Sequence, residues 1–329
     1  MEDEARRRPT LRDVARLAGV SHQTVSRAIN DKGEIDPETR RRVLDAARQL
    51  RYRPSRFARG LVRPGATTVG LVVSDVVNPF FPELIAGVIE AAEQAGWQVV
   101  ISSSQDDAGR EPALLRSLSS QVDVVIGYFC GTDEAIAEAT GDIPLVMVNR
   151  RTRNPAWAVV DVDSATGVRA LVRHLAAQGH HRLGMIDCPD ANEPGRREAF
   201  LAEAASQGLT VPTGAVVAAD QSMAGGEAGL TRLHAEHPGL TAVFAFNDLV
   251  ALGAHRAARR LGWAVPRPLA LAGFDGLTLG ELLDPALTTV QLDKRRLGEL
   301  AVAQARRLLQ GEKPDPVILE TTLLVRDSA

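Results

Sequence analysis

The sequence of 329 residues contains only two cysteines, Cys130 and Cys188. They lie far apart in the chain and lack the spacing of a metal-binding cysteine pair. This scarcity excludes a fold held together by disulfide bonds and is typical of proteins in a reducing compartment. We therefore expect a cytoplasmic protein.

Long apolar runs are also missing. No segment approaches the roughly 18 consecutive apolar residues that a membrane-spanning helix needs, so we expect no membrane span. The first ten residues, MEDEARRRPT, are charged throughout and no apolar run follows them. We therefore expect no secretory signal.

The common patterns of metal and catalytic sites are missing as well. The neighbouring histidines His180 and His181, and the pair His234 and His237, have no third ligand close in sequence, which argues against zinc. The GGEAG segment around Gly225 lacks the strand and the spacing of a phosphate-binding loop. No Ser-His-Asp triad or carboxylate pair can be argued, so we expect neither an enzyme nor a cofactor or metal.

What the sequence does contain is an uneven distribution of charge. Residues 1–65 hold 16 Arg and Lys against 9 Asp and Glu, a net charge of +7, while residues 66–329 hold 22 against 32, a net charge of −10. A small basic module on a large acidic body suggests that the module alone meets a polyanion such as nucleic acid. A solvated basic surface on an ordinary domain is the alternative.

The basic module includes the segment DVARLAGVSHQTVSRAIN, which predicts two short helices joined by a turn. Thr10 is a good cap for a first helix over about residues 11–18, and Gly19 can take the positive φ angle that ends it. Ser21 then caps a second helix over about residues 22–29.

A third helix is predicted after Asp36, because Pro37 suits the first helical position and apolar residues recur at helical spacing. Those apolar residues are Val43, Leu44, Ala47 and Leu50. Three such helices form a helix-turn-helix unit. The following segment, RYRPSRFARGLVRPG, is either a plain linker or a linker that contains one short helix, which Gly60 would weaken.

From Thr67 onwards, strand-like and helix-like segments alternate. The strand-like segments are TTVGLVVSDV, WQVVISSSQ, VDVVIGYF, PLVMVN, HRLGMID, TAVFAFN and LALAGFD. This alternation predicts parallel sheets flanked by helices, and the length favours two lobes with a cleft over one open sheet. Ligands of such sheets bind at the carboxyl ends of the strands, where the following polar residues gather: Ser74, Asp75, Asn149, Arg150, Asp187, Asn247, Asp248 and Asp275.

Several of these segments together resemble the LacI/GalR family of bacterial transcription regulators. The segments are TLRDVARLAGVSHQTVSRAIN, TRRRVLDAARQLRYRPSRFARGL, VGLVVSDVVNPFFPELIAGVIEAAEQAGW, VPRPLALAGFD and DPALTTVQLDKRRLGELA. The resemblance extends from about Thr10 to about Leu324. It implies an all-α helix-turn-helix headpiece, a hinge helix and a two-lobed α/β core like that of periplasmic binding proteins. It also implies assembly into homodimers or into dimers of dimers.

The resemblance also implies roles at the DNA end. His22, Gln23 and Arg27 take the positions that read base edges in the major groove, where Gln suits adenine and Arg suits guanine. The residues implied to hold phosphates and fix the register are Thr10, Ser21, Thr24, Ser26, Asn30 and Tyr52.

In the hinge, Leu61 falls where the family inserts a leucine between base pairs in the minor groove, which kinks the duplex. Arg56 and Arg59 would flank this wedge, with Ala58 between them. Gly60 departs from the helix-favouring residue that is usual there, so we expect a hinge helix that forms mainly on DNA. Paired hinge helices would require a palindromic operator.

At the effector end, the positions that match the family's ligand contacts are Ser74, Phe80, Phe81, Tyr128, Asn149, Arg196, Asn247, Asp275 and Gln291, with Tyr128 and Gln291 the weaker matches. An aromatic face beside Asp, Asn and Arg suits a sugar. Gln221 stands where an aromatic residue often closes the pocket. Arg150 and Arg151 either attract an acidic ligand or pair with acids such as Asp161 or Asp163, and we favour the pairing.

The expected boundaries are a headpiece over residues 1–53, a hinge over 54–66 and a core over 67–329. Within the core, the first lobe would comprise about 67–161 plus about 292–325, and the second about 162–291. We expect a repressor whose affinity for a DNA operator is controlled by a sugar or sugar derivative. A sugar-binding transport protein is the alternative, which the headpiece and the charged N-terminus disfavour. No heptad tail follows Thr321, so we expect no tetramerising coiled coil.

Overall fold

The computed structural model separates the chain into two units, residues 1–67 and 68–329. It describes residues 11–29, 35–50, 67–119, 121–189 and 195–329. Within these ranges, no helix combines the length and the apolar character needed to cross a membrane.

The first unit contains three helices among its described residues: α1 (Leu11–Ala18), α2 (His22–Ile29) and α3 (Pro37–Gln49). Side-chain caps set where α2 and α3 begin. The Ser21 hydroxyl accepts the Thr24 N–H at 3.0 Å, and the Asp36 carboxylate accepts the Thr39 N–H at 2.9 Å. Both helices begin at the predicted residues. Each cap stabilises the helix start because it satisfies a backbone N–H group that has no partner inside its own helix.

Small and β-branched side chains form the core of this unit. The buried residues are Val14, Ala15, Ala18, Val25, Ala28, Val43 and Ala46. Leu44 is 36% exposed, so Ala46 rather than Leu44 joins Val43 at the centre. The small side chains let three short helices approach closely.

The first sheet of the larger unit is entirely parallel. With strands numbered in chain order, its order is β11 (Val317–Leu319), β5 (Ala158–Val162), β4 (Leu145–Val148), β3 (Val124–Gly127), β1 (Thr68–Val73) and β2 (Gln98–Ser103). Strand β1 reads TVGLVV and is buried along its whole length, as expected of a parallel strand covered on both faces. The covering helices are α4 (Phe80–Gln94), α5 (Glu111–Ser119), α6 (Asp133–Thr140) and α11 (Lys294–Leu309).

The second sheet is parallel except at one edge. Its order is β12 (Thr322–Leu324), β10 (Thr288–Gln291), β9 (Ala270–Asp275), β8 (Ala242–Ala245), β6 (Leu183–Asp187) and β7 (Val216–Ala218), and β12 alone runs antiparallel to its neighbour. Its helices are α7 (Ser164–Ala177), α8 (Gly195–Ser206), α9 (Met223–Glu236) and α10 (Asp248–Leu261). Each sheet with its helices forms one lobe.

The chain passes between the lobes after β5, after β10 and again between β11 and β12. The last passage corrects one expected boundary. We placed the end of the first lobe at about residue 325, but β12 belongs to the second sheet, where Leu324 pairs with Thr289. Strands of three residues carry too little alternation for the sequence to reveal this switch.

Helices α4 and α11 of the first lobe touch backbone to backbone. A Cβ atom on Gly87 would lie 2.2 Å from the Arg295 carbonyl oxygen, and one on Gly298 would lie 2.6 Å from the Leu84 carbonyl oxygen. Glycine is therefore required on both sides of this contact. The contact matters for the cleft, because α4 begins with Phe80 and Phe81 and α11 begins with Lys294.

Candidate functional site

In the first unit, helix α2 exposes a polar face. Ser21, His22, Gln23 and Arg27 are exposed, while Thr24 and Ser26 are half-buried. Val25 and Ala28 turn the opposite way into the core. The three residues predicted to read bases therefore lie on the solvent side of α2, as base reading requires.

Ser21 and Thr24 also have a structural task, because their hydroxyl groups lie 2.8 Å apart beside the cap of α2. The other residues predicted to contact DNA lie outside the described residues: Thr10, Asn30 and Tyr52 of the headpiece, and Arg56, Ala58, Arg59 and Leu61 of the hinge.

In the larger unit, a small cavity lies where the two lobes meet. It is lined from the first lobe by Ser74, Asn78, Phe80, Phe81 and Tyr128, and from the second by Arg196, Gln221, Asn247 and Asp275. These residues follow the carboxyl ends of strands or begin helices, so the topology brings them together. The set includes seven of the nine residues predicted to bind an effector.

Aromatic rings form the first-lobe wall of this cavity. Phe81 meets Phe80 and Tyr128 edge to face, with ring centres 5.1 and 5.4 Å apart. The Asn149 amide donates to the Tyr128 hydroxyl at 3.3 Å. Asn149 does not line the small cavity but sits behind Tyr128, and its φ of 57° is unusual for a residue other than glycine.

The second-lobe wall is dominated by Arg196, whose side chain is 3% exposed. Its guanidinium lies 3.7 Å from the Phe274 ring centre and 4.5 Å from that of Phe246. It donates to the Phe246 carbonyl at 2.8 Å and lies 3.8 Å from the Asp275 carboxylate. Stacking and ion pairing fix a cation at the floor of the cleft.

Asn247 and Gln221 complete this wall. The Asn247 side-chain oxygen caps α10 by accepting the Val250 N–H at 2.9 Å, and the side-chain nitrogen of Asn247 lies 3.4 Å from the Gln221 side-chain oxygen. The hydrogen bond from Val250 and the contact with Gln221 hold the Asn247 amide in one orientation. Gln221 thus places an amide in the pocket.

Asn78 also lines the cavity and was not among the predicted residues. Its side-chain oxygen accepts the Phe80 N–H at 3.0 Å. The signal in the sequence was Asn before Pro-Phe-Phe at a helix start, which indicates a cap as readily as a binding residue. Gln291 lies outside the cavity; it is exposed at the end of β10, beside Gly276.

The cavity itself is about 20 Å³, enough for roughly one water molecule. A monosaccharide is larger than this space. Beside the cavity lies an open groove of about 1020 Å³ that Asn149, Arg150 and Arg151 help to line.

Arg150 and Arg151, which line this groove, are paired with acids. Arg151 donates to Asp161 at 2.9 Å, as predicted, and Arg150 donates to Asp133 at 2.5 Å. Thr152 donates to the same Asp133 carboxylate at 2.6 Å. Despite the cost of its partial burial, the pKa of Asp133 is lowered by these partners. The charges of Arg150 and Arg151 are therefore largely offset within the groove.

Behind Asp275 lies a fully buried carboxylate, that of Asp248. It accepts the Leu277 N–H and the Thr289 hydroxyl, each at 2.6 Å. Burial raises the pKa of Asp248 to about 6, although both hydrogen bonds oppose that shift. Asp248 thereby holds the turn that follows Asp275.

Two regions of the chain match known protein families. Residues 10–55 match the bacterial regulatory proteins of the lacI family, and residues 172–329 match the periplasmic binding protein-like domain. Over 307 residues the chain is 34% identical to the HTH-type transcriptional regulator GalS of Salmonella typhimurium. The aligned region covers 92% of this chain and 89% of GalS. The chain belongs to the LacI family.

Solved LacI-family structures share this fold. The complex of the transcriptional regulator CelR with cellobiose has a TM-score of 0.73 and 29% identity, and covers 98% of this chain and 100% of CelR. The lac repressor dimer bound to operator and the anti-inducer ONPF has a TM-score of 0.75 and 26% identity, and covers 98% and 99%.

Membership of the LacI family confirms two predictions. The fold is a helix-turn-helix headpiece with a two-lobed, periplasmic-binding-protein-like core. The protein is a DNA-binding transcriptional regulator and not an enzyme.

Proposed function

We propose that this LacI-family regulator is a homodimeric repressor that binds a palindromic DNA operator in the cytoplasm. A sugar or sugar derivative bound between the lobes controls its affinity for that operator. The observation that carries the proposal is the cleft, which has an aromatic wall on one lobe and hydrogen-bonding side chains on the other.

The chemistry of the two walls suits a sugar. The rings of Phe80, Phe81 and Tyr128 offer apolar edges and faces for the C–H surface of a pyranose. Opposite them, Asp275 accepts hydrogen bonds from hydroxyl groups, Arg196 donates, and the Asn78 and Asn247 amides add donors at fixed positions. CelR, a relative of the same fold, was solved with cellobiose bound.

Control of DNA binding follows from where the ligand sits. The cleft residues come from both lobes, so a ligand that prefers one separation of the lobes shifts the protein toward that arrangement. The arrangement of the lobes in turn sets the spacing of the paired hinge segments on the operator. The coupling free energy equals the difference between the ligand's binding free energies for the two arrangements.

In the headpiece, His22, Gln23 and Arg27 read base edges from the exposed face of α2. Ser21, Thr24 and Ser26 contact phosphates, as do Thr10, Asn30 and Tyr52, and the hinge residues enter the minor groove around Leu61. Because residues 1–65 carry a net charge of +7, binding falls steeply as salt rises.

The test combines a ligand screen with a DNA-binding assay on the full chain. Monosaccharides, disaccharides and sugar phosphates are screened for a rise in unfolding temperature, and hits are added to the protein bound to DNA selected from a random pool. We expect at least one sugar to raise the unfolding temperature and change DNA affinity. Failure of every sugar in both assays would overturn the proposal.

A matched pair of variants localises the effect. Asp275→Ala should lose the sugar response while DNA binding without sugar persists. Asp315→Ala, which removes an exposed carboxylate elsewhere in the first lobe, should respond as the wild-type chain does. A normal sugar response in Asp275→Ala would place the effector elsewhere.

A further inference from the structure

Lysine is rare in this chain, and one lysine is buried where the lobes meet. Of the 38 basic residues only three are lysines: Lys32, Lys294 and Lys313. Lys294 is 2% exposed and is the first residue of α11, directly after the chain leaves β10 for the first lobe. A buried ammonium group must be matched by acceptors.

The acceptors of Lys294 come from both lobes. Its Nζ donates to the Asp275 carbonyl at 2.8 Å and lies 3.4 Å from the Gly276 carbonyl, both in the second lobe. It also lies 3.5 Å from the carboxylate of Glu83 in the first lobe. One ammonium group therefore joins the end of β9 to helix α4.

The turn that receives Lys294 is held from its other side as well. Asp248 accepts the Leu277 N–H, and the Thr289 hydroxyl accepts the Gly276 N–H at 3.3 Å. The φ angle of Asp275 is 118°, a costly conformation for a residue with a side chain. These bonds on both sides of the turn stabilise that conformation, and with it the aim of the Asp275 carboxylate into the cleft.

The other partner, Glu83, lies in the first turn of α4, next to the aromatic residues of the opposite wall. Phe80 and Phe81 begin this helix. A displacement of the Asp275 turn that moves Lys294 is therefore transmitted to the helix that carries both rings. The Lys294 side chain thus connects the two walls of the cleft.

We propose that Lys294 is a positioning residue that holds the Asp275 turn in place and couples it to helix α4. This inference deepens the proposed function, because Asp275 and Phe81 face the proposed sugar. Lysine suits the position better than arginine, since a compact ammonium group has three donors for three acceptors on different elements, whereas a guanidinium is planar and larger.

The experiment measures amide hydrogen exchange in the full, ligand-free chain. Lys294→Met keeps the length of the side chain and removes the charge, and Lys313→Met makes the same change at an exposed position of the same lobe. We expect Lys294→Met to speed exchange about tenfold at residues 276–278 and in the first turn of α4, because a charge-assisted hydrogen bond no longer opposes local opening. Lys313→Met should leave both segments unchanged.

A second variant separates coupling from a local structural role. Glu83→Gln removes the ion pair on the first lobe and touches nothing in the second, yet it should also speed exchange at residues 276–278. Combined with Lys294→Met it should add nothing further, since both changes break one network. Lys294→Arg, which keeps the charge, should restore part of the protection.

Two results would overturn the proposal. In the first, Glu83→Gln leaves the rate of amide exchange at residues 276–278 unchanged. In the second, the effects of Glu83→Gln and Lys294→Met on that rate add. If Lys294→Met fails to fold, the Glu83→Gln result still decides. No sugar is used, so a chain that responded to none would refute the proposed function and leave this result standing.

Discussion

The guanidinium group of Arg196 lies 3.7 Å from the centre of the Phe274 ring. The next residue in the chain, Asp275, places its carboxylate 3.8 Å from the same guanidinium. Strand β9 therefore contributes both an aromatic face and a negative charge to one buried cation. Arg196 is thus held rigid at the floor of the cleft, with its donors fixed before any ligand arrives.

Arg196→Lys should abolish most of the sugar response. An ammonium group cannot stack between Phe246 and Phe274 and donate to the Phe246 carbonyl while also facing the ligand. We expect sugar affinity to fall about 100-fold, equivalent to about 2.7 kcal/mol. Isothermal titration with the sugar found in the thermal screen measures this change.

The neighbouring arginine provides the control. Arg197 has a side chain that is 51% exposed and lies 3.5 Å from Asp187. Because Arg197 does not line the cavity and the variant keeps its charge, Arg197→Lys should change sugar affinity by less than about threefold. Since both variants keep the positive charge, equal losses would mean that the sugar response does not depend on the stacked geometry of Arg196.

Asp248 should make stability depend on pH. Its folded-state pKa is raised to about 6 by burial, so the folded chain binds this proton more tightly than the unfolded chain does. The stabilisation is complete below the ordinary pKa of 3.8 and is lost as pH rises through about 6. Asp248→Asn, which cannot ionise, lacks this dependence.

Urea unfolding of both proteins between pH 4.5 and 7.5 tests this expectation. The free energy of unfolding of the wild-type chain, minus that of Asp248→Asn, should fall by about 2 kcal/mol from the lower to the higher pH. Taking the difference cancels the other carboxylates, including Asp133 and Asp163, whose lowered pKa values act in the opposite direction. If the difference between the two free energies of unfolding stayed constant with pH, the raised pKa of the buried Asp248 carboxylate would be contradicted.

Gly87→Ala should destabilise the first lobe. The added methyl group would lie 2.2 Å from the Arg295 carbonyl, so α4 and α11 must move apart. We expect a loss of about 1 to 3 kcal/mol in the free energy of unfolding. Gly195→Ala, where nothing lies within 4 Å of the new atom, should be neutral or stabilising by up to about 1 kcal/mol. Similar effects at both positions would show that backbone entropy, and not the close helix contact, governs Gly87.

Much of the cleft could be predicted from the sequence because parallel strands leave a clear signal. Ser74, Asn247 and Asp275 each follow a buried apolar run, and the carboxyl ends of such runs meet at one edge of a sheet. The family resemblance added Phe80 and Arg196, which begin or lie near the start of helices. These five residues line one cavity.

The remaining features depend on tertiary contacts that no local pattern encodes. Lys294 and Glu83 are 211 positions apart and meet only because α11 packs on α4. Strands β11 and β12 each have three residues, too few to show a period. Gln291 was expected in the cleft, yet its side chain is exposed because β10 ends at that residue, beside the turn at Gly276.

Arg27→Ala should change which DNA sequence is preferred while general DNA binding survives. Arg27 lies exposed in the last turn of α2, and an arginine that pairs with guanine contributes about 1 to 3 kcal/mol of discrimination at that base pair. Arg41→Ala removes an equal charge from the exposed surface of α3 and serves as the matched control. Selection from a random DNA pool should show a relaxed preference at one or two base pairs of each half-site with Arg27→Ala. Arg41→Ala should keep the wild-type preference and at most weaken binding uniformly. If both variants selected the wild-type site, base reading would have to be assigned to His22 and Gln23 alone.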